Sequence, residues 1–422
     1  MTQAAVPAAA GGVFDGRFEV GGIRLDRPFQ IERLGHFGFN CVRFDEAFSF
    51  YTDLLGYRVT DVRDESPRVP AEMVDRVGTM KGYFLRYGSD HHAFVLYNQR
   101  VRELDPRRAM APGVTTNQIT WQVGSLAQVV AAHDWLVDTG RPVRRAGRDM
   151  PGSNFHTYLW DPDGFVHELY YGIEQVGWSG HSKPEPMHAG ELRQVATVPH
   201  APEQAEVEEA LAAGIDLLSG LRSVDPAPAT FAVDGVLLPR PFKIVHQGPV
   251  RLFVEDLDAS ERFFRQVLGF TLTEEVVYAG RRCVFLRAGT EHHSLALYPL
   301  ALREVLGLSP HTKCLALGLR LANYRQLRDA ASFLEQRGVQ RIHLPPELLP
   351  GIDHAVHVLD PDGHVVELHY YMEHVGWDGR PRPPDQRPWL AERDRLEPGA
   401  LPETVEARPD TFAGAPYLGP WL

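Results

Sequence analysis

The chain repeats itself over long stretches, and this duplication limits the folds open to it. Tyr158-Leu-Trp-Asp-Pro-Asp-Gly-Phe-Val-His-Glu-Leu-Tyr-Tyr171 returns as Leu359-Asp-Pro-Asp-Gly-His-Val-Val-Glu-Leu-His-Tyr-Tyr371, which puts Glu168 and Glu367 at matching places. Arg27-Pro-Phe-Gln-Ile31 returns as Arg240-Pro-Phe-Lys-Ile244, and Phe50-Tyr-Thr-Asp-Leu-Leu-Gly-Tyr57 as Phe263-Phe-Arg-Gln-Val-Leu-Gly-Phe270. Asp90-His-His-Ala-Phe-Val-Leu-Tyr97 returns as Glu291-His-His-Ser-Leu-Ala-Leu-Tyr298. The chain therefore holds two related units in tandem. Each Asp-Pro-Asp-Gly is turn chemistry: Pro presets φ and Gly accepts φ > 0. The strand after each turn carries a glutamate in an apolar setting, which is costly unless something pairs with it.

A length of 422 residues suits two domains with appended segments. The net charge of −12 argues against a nucleic-acid partner. Cys41, Cys283 and Cys314 show no paired spacing and read as free thiols of a reducing compartment. Met1–Gly12 lacks a basic start and reads as a tail, not a signal peptide. No apolar run is long enough to span a membrane, so a cytoplasmic protein is expected.

Within the first half, an extended segment over 35–42 leads to a helix over 46–55 that stops at Gly56. Strands follow near 57–62, 82–87 and 92–97. The pattern then restarts with a strand over 118–123, a helix over 125–139 stopped at Gly140, and strands ending at Tyr171. The expected fold class is α+β: four βαβββ modules paired into two domains, each a curved sheet around a pocket. The expected division is a tail and opening strand over 1–29, a first domain over 30–178, a linker with a helix over 179–239, a second domain over 240–377, and a Pro-rich tail over 378–422. The linker helix is expected over 203–218, with Glu206, Glu208 and Glu209 outside and Val207, Leu211, Ile215 and Leu218 inside. About twelve extra residues in the first half read as a surface loop over 61–77, because Pro67, Pro70 and several charges fall there. Tyr417–Leu422 is apolar enough to pack on something.

Four such modules, each pair closed by the Asp-Pro-Asp-Gly…Glu-Leu strand, resemble the vicinal oxygen chelate superfamily of glyoxalase I, bleomycin-resistance proteins and extradiol ring-cleaving dioxygenases. The resemblance spans roughly 30–175 and 243–375 and is nearest to the two-domain extradiol enzymes. It implies an oxidoreductase that opens a catechol-like aromatic diol with O₂, using Fe(II), with Mn(II) or another divalent ion as the alternative. It also implies a homo-oligomer. In that family two His and one Glu hold the metal and leave positions open.

Carried onto this chain, the resemblance places the metal on His36, Gln118 and Glu168. Gln118 departs from the family's histidine, and an amide oxygen is a weaker, neutral ligand. His92 matches the family's acid/base histidine, with His91 expected to alternate outward on its strand. Tyr158 matches a tyrosine that hydrogen-bonds substrate, and His156 stands in for a supporting histidine. Asn154 and Arg145 match substrate-binding positions, Arg145 as a fork for an anionic substituent. In the second half, Pro249 and Ala316 fall where the metal ligands should be, so that half reads as one that has lost its metal site. Two other readings stay open. One is another enzyme of the superfamily, an isomerase, lyase or cyclase using the metal as a Lewis acid. The other is a metal-free small-molecule binding or resistance protein.

Overall fold

The structure is a computed structural model that describes residues 18–68, 70–104, 110–376, 378–387 and 399–405. The N-terminal tail over 1–12 and the apolar end Tyr417–Leu422 lie outside the described residues. A short hairpin of β1 (Phe18–Val20) and β2 (Ile23–Leu25) precedes the first half. That half is one eight-stranded sheet of β3 (Ile31–Cys41), β4 (Arg58–Asp64), β5 (Lys81–Arg86), β6 (Phe94–Asn98), β7 (Thr116–Val123), β8 (Val143–Arg148), β9 (Phe155–Trp160) and β10 (Val166–Tyr171). Its spatial order is β4-β5-β6-β3-β7-β10-β9-β8.

The second half repeats this plan. A hairpin of β11 (Phe231–Val233) and β12 (Val236–Leu238) precedes β13 (Ile244–Val254), β14 (Thr271–Tyr278), β15 (Arg281–Arg287), β16 (Leu295–Pro299), β17 (Cys314–Leu321), β18 (Arg341–Ile342), β19 (Ala355–Leu359) and β20 (Val365–His369). These pair in the same order, β14-β15-β16-β13-β17-β20-β19-β18. Each sheet is mixed and curved. β3 runs parallel to β6 and antiparallel to β7, which makes it the seam between two βαβββ modules.

Local sequence explains the helices. Ser125 accepts a hydrogen bond from the Gln128 amide and caps the helix Leu126–Asp138, which buries Val129, Ala132, Trp135 and Leu136 on one face. Asn323 caps Tyr324–Glu335 in the same way. The helix Phe44–Ser49 widens into a π-helical turn over Phe50–Leu54 and ends at Gly56, whose φ of 90° only glycine takes readily.

The two sheets lock together by exchanging the same contacts. Helix Phe44–Ser49 has no side-chain cap of its own. Asp362, from the second half's Asp-Pro-Asp-Gly turn, accepts from the backbone amides of Val42 at 2.6 Å and Arg43 at 2.8 Å. Reciprocally, Asp163 from the first half's turn accepts from the Glu255 amide at 2.7 Å and the Ser260 hydroxyl at 2.8 Å. Arg240 donates to the carbonyls of Asp53 and Thr52, both at 2.8 Å, and its counterpart Arg27 donates to Gly269 O at 3.3 Å. The motifs that announced the duplication are thus the clasps of its interface. A hydrophobic core runs through both halves without interruption.

Two expectations are corrected. The segment over 61–77 is not a loop: β4 continues to Asp64, and a helix forms over Ala71–Val77 after Pro70, whose fixed φ suits a helix start. The linker helix spans only Glu203–Ala212, because Gly214 takes φ 72° just past it. Glu206 faces inward, paired with Arg148 at 2.5 Å and Lys183 at 3.3 Å, while Leu211 and Leu218 are exposed. The buried cation Arg148 outweighed the apolar pattern.

Because Asp362 supplies a cap the helix lacks, Asp362→Ala is expected to cost about 1–2 kcal/mol of folding stability, and Asp362→Asn less. Urea denaturation midpoints check this. An unchanged midpoint for the alanine variant would show that the clasp contributes nothing.

Candidate functional site

His36 sits in a bulge. The pairing of β3 with β7 slips between Leu34 and Phe37. The Thr120 hydroxyl fills the gap, accepting from the His36 amide at 2.6 Å and donating to the His36 carbonyl at 2.6 Å. Bulges re-aim side chains. This one brings His36 Nε2 to 3.0 Å from Glu168 Oε2. Gly35 makes it possible, since a Cβ there would lie 2.2 Å from the Tyr170 ring.

Glu168, in the middle of β10, is fully buried. Its Oε1 accepts from Asn154 Nδ2 at 2.6 Å, and its Oε2 accepts from Gln118 Nε2 at 3.3 Å. The Tyr158 hydroxyl leans on Gln118 Oε1 at 3.4 Å. His36 and Gln118, far apart in sequence, therefore converge on the Glu168 carboxylate, and both line a cavity of about 200 Å³ in front of it. His92, Tyr158, Asn154 and Arg145 also line that cavity. Burial, then Glu168, pushes the Tyr158 phenol well above its ordinary value.

Asn154 and Arg145 both line the cavity, and each is also held by neighbouring side chains. Asn154 spends its amide on Glu168, so it positions the carboxylate. Arg145 forms a two-pronged pair with Asp149, both contacts at 2.7 Å, and lies over the Tyr158 ring at 4.2 Å. Against the cost of burial, Tyr158 and Asp149 hold the Arg145 guanidinium charged. His156 stands behind the cavity wall, its Nε2 accepting from Arg145 at 3.1 Å. Arg63, Arg102, Arg144 and Arg193 join Arg145 around the opening, with Glu65 and Asp149 as the carboxylates among them. The mouth is electropositive.

His91 does not point outward. It is buried, with Nε2 2.7 Å from Asp61 Oδ2 and Nδ1 2.9 Å from His92 Nδ1. An Nε2–H on His91 donating to the Asp61 carboxylate leaves His91 Nδ1 as an acceptor. His92 must then donate from Nδ1, which leaves its Nε2 lone pair as the basic atom. Burial, then His36 and His91, holds His92 well below its ordinary value, so it is a neutral imidazole. The sequence showed the His-His pair but not Asp61, 30 residues away.

The second half answers the question of its own glutamate. Glu367 is as buried as Glu168. Arg251, which occupies the repeat position of Gly38, reaches it with Nε at 3.1 Å from Oε2 and Nη2 at 3.1 Å from Oε1. Arg251 is itself fully buried and also donates to the Tyr298 hydroxyl at 2.8 Å. Against the cost of burial, Arg251 holds the Glu367 carboxyl far below its ordinary range. The rest of that concavity is packed with Phe253, Phe285, Leu315, Ala316 and Leu348. A guanidinium thus occupies the space beside the Glu367 carboxylate. Glu168 has no such partner: among the described residues no Lys or Arg ion pair reaches it, and an imidazole and two side-chain amides contact it instead.

A divalent cation fits the first-half donors. A separation of 3.0 Å between His36 Nε2 and Glu168 Oε2 is what two ligands about 2.1 Å from one ion leave between them. His36 Nδ1 has no hydrogen-bond partner among the described residues, so what Nε2 binds sets its tautomer. A half-turn of the Gln118 amide presents its oxygen in place of its nitrogen. The other grouping with metal-ligand chemistry among the described residues, Cys41, Asp360 and His364, is different. There Asp360 accepts from Tyr51, and the His364 nitrogens are taken by Asp360 and Thr115, so it is a hydrogen-bonded node between the halves.

The family model described as Glyoxalase/Bleomycin resistance protein/Dioxygenase superfamily matches residues 33–169 and 244–368. Among curated proteins no sequence matches significantly. The fold is similar to the 2,3-dioxygenase LapB from Pseudomonas sp. KL28, at 17% identity and TM-score 0.52, covering 84% of this chain and 96% of that one. It is similar to homoprotocatechuate 2,3-dioxygenase from Brevibacterium fuscum at 16% and 0.51, covering 83% of each. It is also similar to the Mn(II)-bound glyoxalase from Novosphingobium aromaticivorans at 16% and 0.50, covering 83% and 85%. At these identities the likeness concerns the fold.

Removing one member of the Arg251–Glu367 pair strands a buried charge. Arg251→Met is expected to destabilise the protein by about 3–5 kcal/mol, and Arg251→Met with Glu367→Gln to recover most of that loss. Denaturant titration of the two variants checks it; equal loss in both would show that charge compensation is not what Arg251 provides.

Proposed function

The chain belongs to the Glyoxalase/Bleomycin resistance protein/Dioxygenase superfamily, and we propose that its first half is a metal-dependent ring-cleaving dioxygenase of the extradiol type. The proposed substrate is a catechol-like diol with an acidic substituent, and the proposed ion is Fe(II), with Mn(II) as the alternative. One observation carries the reading. Two equivalent buried glutamates exist, and among the described residues only Glu367 has an arginine of its own, Arg251, while Glu168 lies behind His36 and Gln118, which line an open cavity.

In this reading His36, Gln118 and Glu168 hold the ion. When bound, it would supply charge to a chelated diol and a place for O₂ beside it. The residues of the chain do the rest. Asn154 fixes Glu168 from the far side. His92 Nε2 takes a diol proton and returns it later, its tautomer set by the Asp61–His91 chain. Tyr158, protonated because it is buried, is a hydrogen-bond donor toward the reacting oxygens. The arginine mouth draws in an anionic ring and holds its acid group away from the carboxylate floor. The reaction adds both atoms of O₂ across the carbon–carbon bond beside the diol and needs no outside reductant.

Gln118 favours a second reading, in which the same ion acts only as a Lewis acid in an isomerase, lyase or cyclase. The metal alone does not separate the two; the product does. Anaerobic loading with Fe(II), then addition of 3,4-dihydroxyphenylacetate and O₂, is expected to give a yellow ring-fission product. Unchanged catechol, with the metal bound, would select the Lewis-acid reading.

Purified protein is expected to hold about one divalent ion per chain, lost in Glu168→Gln and kept in Glu367→Gln. Loss in neither, or no ion after loading, would favour the metal-free binding reading. Gln118→His is expected to tighten Fe(II) binding at least tenfold, and an unchanged affinity would remove Gln118 from the ligand set. Asp61→Asn is expected to lower kcat by about 10-fold or more with KM and metal content little changed, because it releases the His92 tautomer without touching substrate. Equal losses in metal content would instead mark Asp61 as structural.

A further inference from the structure

A second cavity, of about 340 Å³, lies between the two halves. Pro249, Glu291 and His293 line it from the second half, and Arg33 and Leu34 from the strand that carries His36. It also holds a row of three side chains on neighbouring strands. In the sheet register Arg320 of β17 stands opposite His246 of β13 on one side and His369 of β20 on the other. All three line the cavity.

The first half shows what this row looks like when it is satisfied. Its counterpart is Arg33, Gln122 and Tyr170. There Arg33 donates to Gln122 Oε1 at 2.6 Å and pairs with Asp90 at 2.6 Å. In the second half the cation has moved to the central strand and its partners have become imidazoles. Arg320 is half-buried, and no hydrogen bond or ion pair reaches its guanidinium among the described residues. Glu291 lines the same cavity and acts on Arg320 only through space, while its Oε1 accepts from Ser294 at 2.5 Å. Burial first, then neighbouring charges that include Arg320, lowers His246 to about 3 and His369 to about 4, so neither adds charge of its own near neutrality.

The cavity also presents an unused acceptor. His292 Nε2 lies 3.0 Å from Glu274 Oε2, and His292 Nδ1 lies 3.0 Å from His293 Nδ1. The tautomer logic of His91 and His92 applies again, so His293 Nε2 carries a lone pair. That atom is buried and has no hydrogen-bond partner among the described residues. Among the described residues, a half-buried guanidinium that no carboxylate contacts directly and a buried imidazole nitrogen without a donor therefore face one space large enough for a small molecule.

We propose that this cavity binds a small organic carboxylate that also carries a hydroxyl, the carboxylate on Arg320 and the hydroxyl donating to His293. The site is distinct from the His36–Glu168 cavity and does not depend on what that cavity does.

Calorimetric titration of the full-length protein with 4-hydroxybenzoate tests it, with 4-hydroxybenzamide and benzoate as the probes lacking the charge or the hydroxyl. Binding of 4-hydroxybenzoate is expected to weaken at least tenfold in Arg320→Met, to be retained in Glu168→Gln, and to exceed that of both analogues. Thr290→Trp, at an exposed position on the cavity's edge, is expected to block binding while leaving the fold and circular dichroism unchanged, which covers the case of a misfolded Arg320 variant. No binding, equal binding of the amide, or binding insensitive to both substitutions would overturn the proposal.

Discussion

The cost of burying a carboxylate inside a sheet governs how this molecule is built. Glu168 and Glu367 occupy equivalent places in β10 and β20, and neither is exposed. Leaving such a charge without compensation costs several kcal/mol. The second half meets that cost with Arg251 and then has nothing left to offer a ligand at that point. The first half keeps Gly38 at the Arg251 position and surrounds its glutamate with an imidazole and two amides. A fixed guanidinium makes a stable wall, whereas an imidazole and two amides leave a site that, in the proposed function, an exchangeable cation completes. The asymmetry between the halves lies in what stands beside one carboxylate.

That choice was open to one half because the other supports it. Asp163 and Asp362 each reach across to the start of the first helix of the opposite half, and Arg240 and Arg27 make the same exchange. Phe39 stacks on His364 with ring centroids 3.9 Å apart, which ties β3 directly to the second half's turn. β3 also carries the bulge that aims His36. A half that held only a packed core would still be needed to keep that strand in place.

Much of this was legible in the sequence. The duplication, the strand periodicity and the glycine stops gave the sheets and the helices Leu126–Asp138 and Phe44–Ser49 nearly where they lie. The convergence of His36, Gln118 and Glu168 was legible only through the resemblance, because their spacing carries no local pattern. What stayed hidden depended on register and docking. The β3 bulge leaves no mark beyond Gly35, and Thr120 looks like any strand threonine. The Asp-Pro-Asp-Gly turns read as turns, while their second role as caps exists only once the halves meet. Arg251 was a signal that could have been read, since a charge inside Val250-Arg-Leu-Phe-Val254 demands a buried partner. Glu206 shows the opposite failure, where an apolar period promised an outward face and a buried arginine pulled it in.

The histidine pairs show why a repeated motif is not by itself a repeated function. Both halves build the same chain of carboxylate, imidazole and imidazole: Asp61, His91 and His92 in one, Glu274, His292 and His293 in the other. The chain fixes which nitrogen of the last ring is basic, and it does so wherever the strand start is kept. What that nitrogen meets is decided by its surroundings. His92 lies against His36, with ring centroids 4.3 Å apart, and looks onto the Glu168 cavity. His293 looks onto a cavity in which Pro249 has replaced His36 and which the guanidinium of Arg320 lines. The same oriented base thus serves, in the two proposals, to move a proton beside a cation in one half and to accept a hydrogen bond beside an anion in the other. Substitutions at only a few positions, Gly38 to Arg251 and Gln122 to Arg320 foremost, separate the two outcomes on one scaffold.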